Sequence, residues 1–415
     1  LCKATPRKGS VSEGTTVSDY SGDEIERKSS INAGFLHCEY QGTRLQIIDA
    51  PGYADFFGEV IASIRAVDGA VIVVDASSGI EVGTERAWQF LEEAGLPCLF
   101  FINKLDKEDT DPQKTLADIQ NVFSKKALTL GSWDSPELIE AVAESDDKLL
   151  EKYLEGTKLS AEELKTGLRQ AVIKRKVFPV LSGAALKDKG IQELISAILE
   201  YMPNPSERPQ AEGEVALQED GPFAAFVFKS ISDPYVGQLT LLRIFSGILA
   251  ANTSFYNITK KAKERIGTIY MLQGKEQKQV DIATSGDIVA IAKLKETATS
   301  DSLGDEKNPV VFPSIVFPEP AISASVKPKS RADEDKISGA LGKLAAEDPT
   351  FKIVHDPQTK ELIIAGLGDL HLSVMVERMK KRFNVEVELG TPKVSYMETI
   401  SKSAKVQGKF KRQSG

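Results

Sequence analysis

The chain has 415 residues, of which 41% are hydrophobic and 27% are charged, and its formal net charge is −8. These values are ordinary for a globular protein of about two to four domains. The negative charge argues against a protein that coats nucleic acid with its whole surface. No apolar run approaches the ~20 residues that a helix needs to cross a bilayer. Three cysteines argue against a disulfide framework and indicate a reducing, cytoplasmic setting. With only three histidines and no paired-cysteine spacing, a zinc site is not expected either.

The first half of the chain is predicted to be α/β. Nearly continuous apolar runs, typical of buried parallel strands, occur at 45–49, 70–75, 98–103 and 177–181, and helical patterns occur at 83–94 and 190–201. Strand–helix alternation of this kind predicts a parallel sheet that binds ligands at the carboxyl ends of its strands. We take this domain as 1–205.

An insertion and a linker interrupt or end this alternation. Residues 107–175 are polar, rich in Lys and Glu, and largely helical in pattern, while the Pro- and Glu-rich stretch 203–221 is typical of a linker. After the linker the pattern changes to strands separated by turn residues, at 225–228, 239–244 and 288–291. We therefore predict a small β-barrel over 206–314.

The last complete unit has the order β-α-β-β-α-β over 321–389, which predicts a ferredoxin-like α+β domain with bounds near 315–390. Ser330 is expected to cap its first helix. The remaining residues, 391–415, begin a further domain and carry six basic residues against one acid. Contact with phosphate and a strand edge protected by lysines both explain that charge.

A candidate base-reading loop, Asn103-Lys104-Leu105-Asp106, follows the third apolar run. The Asp106 carboxylate can accept hydrogen bonds from the ring N–H and the exocyclic amine of guanine, a pair that adenine does not present. Asn103 can tie the base edge to neighbouring loops, while the Lys104 stem covers the ring face. Alone, the pattern is equally compatible with ordinary loop polarity, and its position after a buried strand favours the nucleotide interpretation.

A candidate phosphate-sensing turn, Asp49-Ala50-Pro51-Gly52, follows the first apolar run. The Asp49 carboxylate can hold the water shell of a magnesium ion, and the Gly52 N–H can approach a terminal phosphate because no side chain interferes. A strand-end turn is the alternative. The correct spacing before Asn103–Asp106 favours the phosphate role.

Two weaker segments support the same site. Backbone N–H groups of Ala184, Ala185 and Leu186 can bind the guanine carbonyl oxygen after the last strand. Upstream, the Ser30 hydroxyl can reach magnesium when a triphosphate is bound and release it after hydrolysis, which would make its segment an order–disorder switch. Taken alone, these segments are also compatible with a common turn and a surface loop.

With these motifs, the sequence resembles elongation factor G over essentially its whole length. Besides the motifs above, the resemblance includes ordered segments at 233–237, 243–247, 293–297, 347–351, 366–372, 396–400 and 408–415. It implies a multidomain α/β protein: a P-loop GTPase-type parallel-sheet domain, a β-barrel second domain, a ferredoxin-like third domain and the start of a fourth. It also implies GTP and GDP with Mg²⁺ as ligands, the ribosome as partner, and a monomer.

Three departures from the family pattern bear on activity. No Gly-x-x-x-x-Gly-Lys-Ser/Thr loop occurs, and residue 1 is Leu, so we expect a chain cut at both ends that binds GTP poorly as given. Tyr53 replaces the family histidine that positions the attacking water, and a phenol does not become cationic near neutral pH as imidazole does. Lys28 replaces a flexible glycine of the switch segment. These departures suggest a divergent elongation factor G-like paralogue.

Three hypotheses remain open from the sequence. The leading one is a GTP hydrolase that acts on the ribosome in translocation or recycling, with Gly52 and Tyr53 at the reacting phosphate and Ser30 and Asp49 at magnesium. The second is a GTP-dependent ribosome-binding factor with little hydrolysis. The third is a nucleotide-free scaffold that has lost the phosphate loop.

Overall fold

The computed structural model describes residues 4–5, 8–130, 135–208, 220–233, 236–396 and 398–409. The first half of the chain contains α1 (Gly22–Arg27), β1 (Gly34–Tyr40), β2 (Thr43–Asp49), α2 (Phe57–Ile64), β3 (Ala70–Asp75), α3 (Val82–Glu93), β4 (Cys98–Asn103), α4 (Pro112–Val122), β5 (Ala127–Thr129), α5 (Pro136–Ala143), α6 (Asp147–Leu154), α7 (Ala161–Ile173), β6 (Phe178–Ser182) and α8 (Ile191–Tyr201). Single 3-10 turns lie at Ala54–Phe56, Ala185–Lys187 and Pro205–Glu207.

The central sheet of this half is parallel and has the strand order β3-β4-β6-β5. The predictions at 70–75, 98–103 and 177–181 are confirmed, and β4 is buried along almost its whole length. On one face of the sheet, the Trp88 indole packs against the rings of Phe100, Phe123 and Phe178. This aromatic cluster fixes α3 and α4 over the strands whose carboxyl ends form the candidate site.

The run at 45–49 is a strand, but the prediction that it belongs to the buried parallel sheet is wrong. It lies in β2, which pairs antiparallel with β1 and is half-buried or exposed along its length. The antiparallel pairing has a local cause: Gln41 and Gly42 both have positive φ values, 50° and 77°, as a tight two-residue hairpin turn requires. Among the described residues β1 is the one strand that pairs with β2.

The predicted helical insertion divides into two parts. Its first part, α4 and β5, continues the parallel sheet, because β5 pairs with β6 at the edge. The short strand β5 was not predicted from the sequence. Helices α5 and α7 pack with α8 in a second core, which includes Leu99 of β4 and buries Leu138, Val142, Leu168 and Val172.

The second unit is an antiparallel β-structure. It contains β7 (Ala224–Asp233), β8 (Gly237–Ser246), β9 (Ile248–Ala250), β10 (Ser254–Asn257), β11 (Ala262–Arg265), β12 (Ile269–Gln273), β13 (Glu276–Val280), β14 (Ile282–Thr284), β15 (Ile288–Ala292) and β16 (Ser302–Gly304). Eight strands form one sheet in the order β11-β10-β16-β7-β8-β15-β12-β13, and β9 pairs with β14. The three predicted strands are β7, β8 and β15. Most of the predicted linker, 209–219, lies outside the described residues.

The third unit has β17 (Ile322–Pro328), α9 (Arg331–Glu347), β18 (Lys352–His355), β19 (Leu362–Gly366), α10 (Asp369–Phe383) and β20 (Val387–Gly390). Its antiparallel sheet has the order β18-β19-β17-β20, so the ferredoxin-like prediction is confirmed. The Ser330 side chain accepts a hydrogen bond from the Asp333 amide and caps α9 as expected. Beyond Gly390 the described residues are mostly exposed and form neither helix nor strand, so the start of a fourth domain stays a prediction.

The first two units share a buried interface on β7 and β8. Alternate residues of β7 face two cores, and Phe226 and Phe228 pack with Ala33, Phe35 and Ala62 of the first unit. The Lys229 Nζ atom lies 2.5 Å from Glu59 Oε1, with 6% and 10% of the two side chains exposed. Buried charges of this kind fix the relative placement of the two units, because neither charge has water as an alternative partner.

No helix in the described part of the chain is both long enough and apolar enough to cross a membrane.

Candidate functional site

The candidate site lies where the parallel strands end. Asp75 of β3 is paired in register with Asn103 of β4, and Ile102 of β4 with Ser182 of β6. Because the strands run in the same direction, the loops that follow them emerge at one edge of the sheet. The predicted base-reading loop and the predicted 183–186 turn are therefore neighbours.

Asn103 joins these two loops directly. Its Oδ1 atom accepts hydrogen bonds from the amides of Lys104 at 2.8 Å and Ala185 at 3.0 Å. A third bond runs from the Leu105 amide to the Gly183 carbonyl at 3.1 Å. Gly183 is required there, since a Cβ atom would lie 2.2 Å from the Lys189 carbonyl oxygen. The Asn103 side chain thus holds the two loops at a fixed separation.

Lys104 is held by an acidic residue that sequence reasoning did not assign to the site. Its Nζ atom lies 2.7 Å from Asp75 Oδ2, and Lys107 lies 3.4 Å from the same oxygen. Burial opposes ionisation of Asp75, but hydrogen bonds from Lys104 and Ser77 outweigh it and hold the pKa of this carboxyl well below its ordinary range. Asp75 therefore stays charged and anchors the lysine beside the loop.

The three residues predicted to bind the guanine carbonyl are not equivalent. The Ala184 amide donates to the Lys189 carbonyl at 3.0 Å, and the Ala185 amide donates to Asn103. Both amides make hydrogen bonds within the loop, and binding of the guanine carbonyl in this turn stays a prediction. Leu186, whose side chain is 71% exposed, is the remaining candidate of the three. Asp106 is exposed at the same edge.

The predicted phosphate-sensing turn is open to solvent. Asp49 is the last residue of β2 and is exposed, and a Cβ atom at Gly52 would meet nothing within 4 Å. Tyr53 begins the 3-10 turn Ala54–Phe56 and is 55% exposed. The start of α3 lies beside this loop, since a Cβ atom at Gly83 would be 3.0 Å from the Gly52 carbonyl oxygen.

A third residue, Asp19, lies close enough to Ser30 and Asp49 to be affected by both, and sequence reasoning missed it. Burial raises the pKa of Asp19 above its ordinary value, a hydrogen bond with Ser30 works against that rise, and the charge of Asp49 adds to it. Asp19 thus adds a second carboxylate to the neighbourhood of Ser30 and Asp49. No sequence pattern points to Asp19, which lies eleven residues upstream of Ser30 in a polar stretch.

These oxygen donors fit a magnesium ion in kind but do not enclose one. Mg²⁺ prefers oxygen ligands and is usually bound by one or two carboxylates together with substrate phosphates and water. The described residues contain no group of three or more His, Cys, Asp or Glu side chains able to hold a metal ion. These side chains therefore suit a magnesium site in which the phosphate oxygens of the nucleotide supply further ligands.

A buried glutamate organises the segment that carries Ser30. Glu24 Oε1 accepts hydrogen bonds from the amides of Ile31 at 3.1 Å and Asn32 at 2.9 Å, and Oε2 accepts from the Ser21 hydroxyl at 2.5 Å. The Glu24 carboxylate therefore holds Ser21 and the backbone at Ile31 and Asn32 together, on both sides of the segment that carries Ser30. Lys28 ends α1 with φ 52° and ψ 40°, a left-handed conformation that favours glycine. The lysine therefore occupies the turn at a conformational cost.

The same segment is clamped to α10 of the third unit. Arg378 Nε lies 2.7 Å from Asp23 Oδ2 in a pair that is almost fully buried. Two exposed pairs flank it: Arg27 with Glu377 at 2.8 Å and Lys381 with Glu26 at 2.6 Å. Burial opposes ionisation of Asp23, but the charge and hydrogen bond of Arg378 lower its pKa to about 2. The clamp is therefore ionic near neutral pH.

The Asp23–Arg378 pair predicts an acid-sensitive interface. Because the folded-state pKa of Asp23 lies below its ordinary value of 3.8, the stabilisation is present above about pH 4 and is lost as pH falls toward 2. We expect the parent protein to lose about 1 kcal/mol more stability than Asp23→Asn between about pH 5 and pH 3. Urea unfolding at each pH measures this difference, and parallel curves for the two proteins would contradict it.

Three family models match the chain in order. The elongation factor Tu GTP-binding domain matches residues 1–204, elongation factor G domain 2 matches 222–306, and elongation factor G domain III matches 317–391. A crystal structure of a protein from Thermus thermophilus superposes with a TM-score of 0.84 at 31% sequence identity. The alignment covers 95% of this chain and 64% of that one, so the chain spans less than two thirds of that relative's length.

Proposed function

Because this chain belongs to the elongation factor G-like translational GTPases, we propose that it hydrolyses GTP on the ribosome, in translocation or in ribosome recycling. The observation that carries the proposal is the Asn103 bridge, which joins the base-reading loop to the 183–186 turn at the edge of a parallel sheet. The family also supports the cytoplasm as its location and a monomer as its state. GTP and GDP are its proposed ligands.

Each site residue has a proposed role that follows from its position. Asp106 selects guanine through its ring N–H and exocyclic amine, and the Lys104 stem, anchored by Asp75, covers the ring face. The Leu186 amide would meet the guanine carbonyl. The Gly52 amide approaches the terminal phosphate, where the absence of a side chain leaves room.

The remaining roles concern charge and water. Ser30 and Asp49, with Asp19 beside them, would hold magnesium and its water shell. Magnesium, bound together with the triphosphate, supplies positive charge beside the phosphates. The Tyr53 hydroxyl stands where the attacking water must be oriented and can accept or donate one hydrogen bond. Catalysis would thus rest on positioning and electrostatics rather than on a covalent intermediate.

A second candidate function is a GTP-dependent ribosome-binding factor that scarcely hydrolyses. Two observations favour it: a phenol replaces the family histidine at Tyr53, and Lys28 fills a left-handed turn position where the family has glycine. Both changes affect segments that must move or align during hydrolysis. Such a factor would act by occupying the ribosome.

Substitution of Tyr53 separates the two candidates. In the full-length natural protein on ribosomes, we expect Tyr53→His to raise kcat by about ten-fold while the affinity for GTP is unchanged. The gain should stay below the roughly 10²–10⁴-fold of a complete acid–base group, because the Tyr53 hydroxyl already supplies one hydrogen bond. Tyr53→Phe, which keeps the ring but removes the hydroxyl, should lower kcat. Single-turnover hydrolysis measures both.

The outcomes differ between the candidates. A parent that hydrolyses no faster with ribosomes, and a histidine variant that gains about a hundred-fold or more, would favour the binding factor. Parental turnover by Tyr53→Phe would show that the Tyr53 hydroxyl does not position the water.

A further inference from the structure

The loop after Gly52 and Tyr53 contacts the third unit through one carboxylate. Asp55 Oδ2 accepts a hydrogen bond at 3.0 Å from the amide of His371, the third residue of α10. The first amides of a helix have no partner within it, and the helix dipole favours a negative charge there. Gly368, which precedes α10, has no side chain to supply this bond. Asp55 therefore caps α10 from another domain.

Gly368 makes this approach sterically possible. A Cβ atom at Gly368 would lie 2.4 Å from Asp55 Oδ2 and 2.7 Å from Asp55 Cγ. The backbone at Gly368 is extended, with φ −169° and ψ 176°, so any residue could adopt its conformation. The glycine is thus needed for the distance to Asp55 and not for its dihedral angles.

The surface that receives Asp55 is itself fixed. The His371 side chain is fully buried, its Nδ1 accepts a hydrogen bond from the Leu367 amide at 3.1 Å, and its Nε2 lies 3.1 Å from Asp348 Oδ2. Burial opposes ionisation of Asp348, but its contact with the His371 ring and the hydrogen bonds from Thr350 lower its pKa to about 2. A group held by several partners moves little, and so does the amide that Asp55 contacts.

Apolar packing also joins this loop to α10. Phe56, next to Asp55, is buried and presents its ring to the His371 ring at a centroid distance of 6.0 Å and an interplanar angle of 69°. It also packs with Ile31 and Val374. The residues on both sides of Tyr53 are therefore placed differently: Gly52 is open to solvent, whereas Asp55 and Phe56 are fastened to α10.

We propose that Asp55 and Gly368 are positioning residues for GTP hydrolysis, because the cap on α10 fixes where the Gly52–Tyr53 loop stands. This inference rests on the proposed function and makes the third unit part of the hydrolytic machinery. Tyr53 is only two residues from Asp55 along the chain, so a shift of Asp55 would also move Tyr53. A displacement of about 1 Å at a reacting group can lower a rate by about a hundred-fold.

The test compares Gly368→Ala with two control variants in the full-length natural protein on ribosomes. Gly368→Ala should lower kcat by about ten-fold or more, while KM and the affinities for GTP and GDP stay within about two-fold. Gly339→Ala and Gly342→Ala, in α9 of the same unit, add a methyl group that meets no atom within 4 Å and should leave kcat unchanged. The thermal midpoint of each variant reports whether it folds.

Asp55 variants keep the test informative if Gly368→Ala does not fold. Asp55→Asn keeps an oxygen that can accept the His371 amide, whereas Asp55→Ala keeps none, so the asparagine variant should retain clearly more turnover than the alanine variant. Equal turnover by Asp55→Ala and the parent would overturn the proposal. So would a loss that appears in KM alone.

A second readout does not depend on hydrolysis. With a non-hydrolysable GTP analogue bound, amide hydrogen exchange over residues 52–57 should be faster in Gly368→Ala than in the parent, because the cap that restrains the loop is displaced. Unchanged exchange would overturn the positioning role even if the parent hydrolyses GTP. A parent that never hydrolyses GTP, combined with faster exchange in the variant, would instead reject the proposed function and leave the cap as a positioning contact.

Discussion

Replacing Asp106 with asparagine is expected to lower the affinity of the full-length protein for GTP by about a hundred-fold or more. The carboxylate is the group proposed to accept two hydrogen bonds from guanine, and each charge-assisted bond contributes about 1.5–3 kcal/mol. An amide has only one acceptor oxygen and directs two N–H donors toward the base. Binding of a fluorescent GTP analogue measures the loss.

The same variant should gain affinity for xanthosine triphosphate, whose base carries a carbonyl oxygen where guanine carries the amine. The asparagine amide can donate to that oxygen. Asp109→Asn is the matched control, since Asp109 is exposed in the same loop and its φ of 59° is one that asparagine also tolerates. Unchanged GTP affinity in Asp106→Asn would show that this loop does not read the base.

Replacing Lys229 with methionine is expected to destabilise the protein by about 3–5 kcal/mol, the usual cost of leaving one member of a buried ion pair without its partner. Glu59 would keep its hydrogen bond from the Ala33 amide at 2.8 Å, but its charge would remain buried between the first two units. The free energy of unfolding, obtained by urea denaturation of the variant and the parent, measures this cost.

Two further variants test the reason for that cost. The double variant Glu59→Gln/Lys229→Met removes both charges and keeps an acceptor for Ala33, so it should recover most of the lost stability. Lys165→Met breaks a pair with Glu200 in which the side chains are 53% and 41% exposed, and it should change stability by less than about 1 kcal/mol. Equal effects of Lys229→Met and Lys165→Met would contradict the account of this interface.

The parts of the fold that were predictable from sequence are those with local causes. The strand at 98–103 is a continuous apolar run because both faces are buried, and Ser330 caps α9 through a bond to an amide three residues away. The run at 45–49 was misassigned because its partner is chosen by a hairpin turn at Gln41 and Gly42. Strand β5 has three residues, too few for a recognisable pattern.

The candidate site was predictable only where a motif is contiguous. Asn103, Asp106, Asp49 and Gly52 lie in short patterns whose spacing indicates nucleotide binding. Asp55 could not be assigned, because its partner His371 is 316 residues away in the chain. The use of the Ala184 and Ala185 amides within the loop was likewise not readable from sequence, since it depends on where Lys189 and Asn103 come to lie.

The most direct test of the central claim is GTP hydrolysis by the full-length natural protein, measured with and without ribosomes under the same magnesium concentration. We expect slow hydrolysis by the free protein and strong stimulation by ribosomes, with Tyr53 in place. Tight GTP binding without stimulated turnover would contradict it and would identify the protein as a factor that acts by occupying the ribosome.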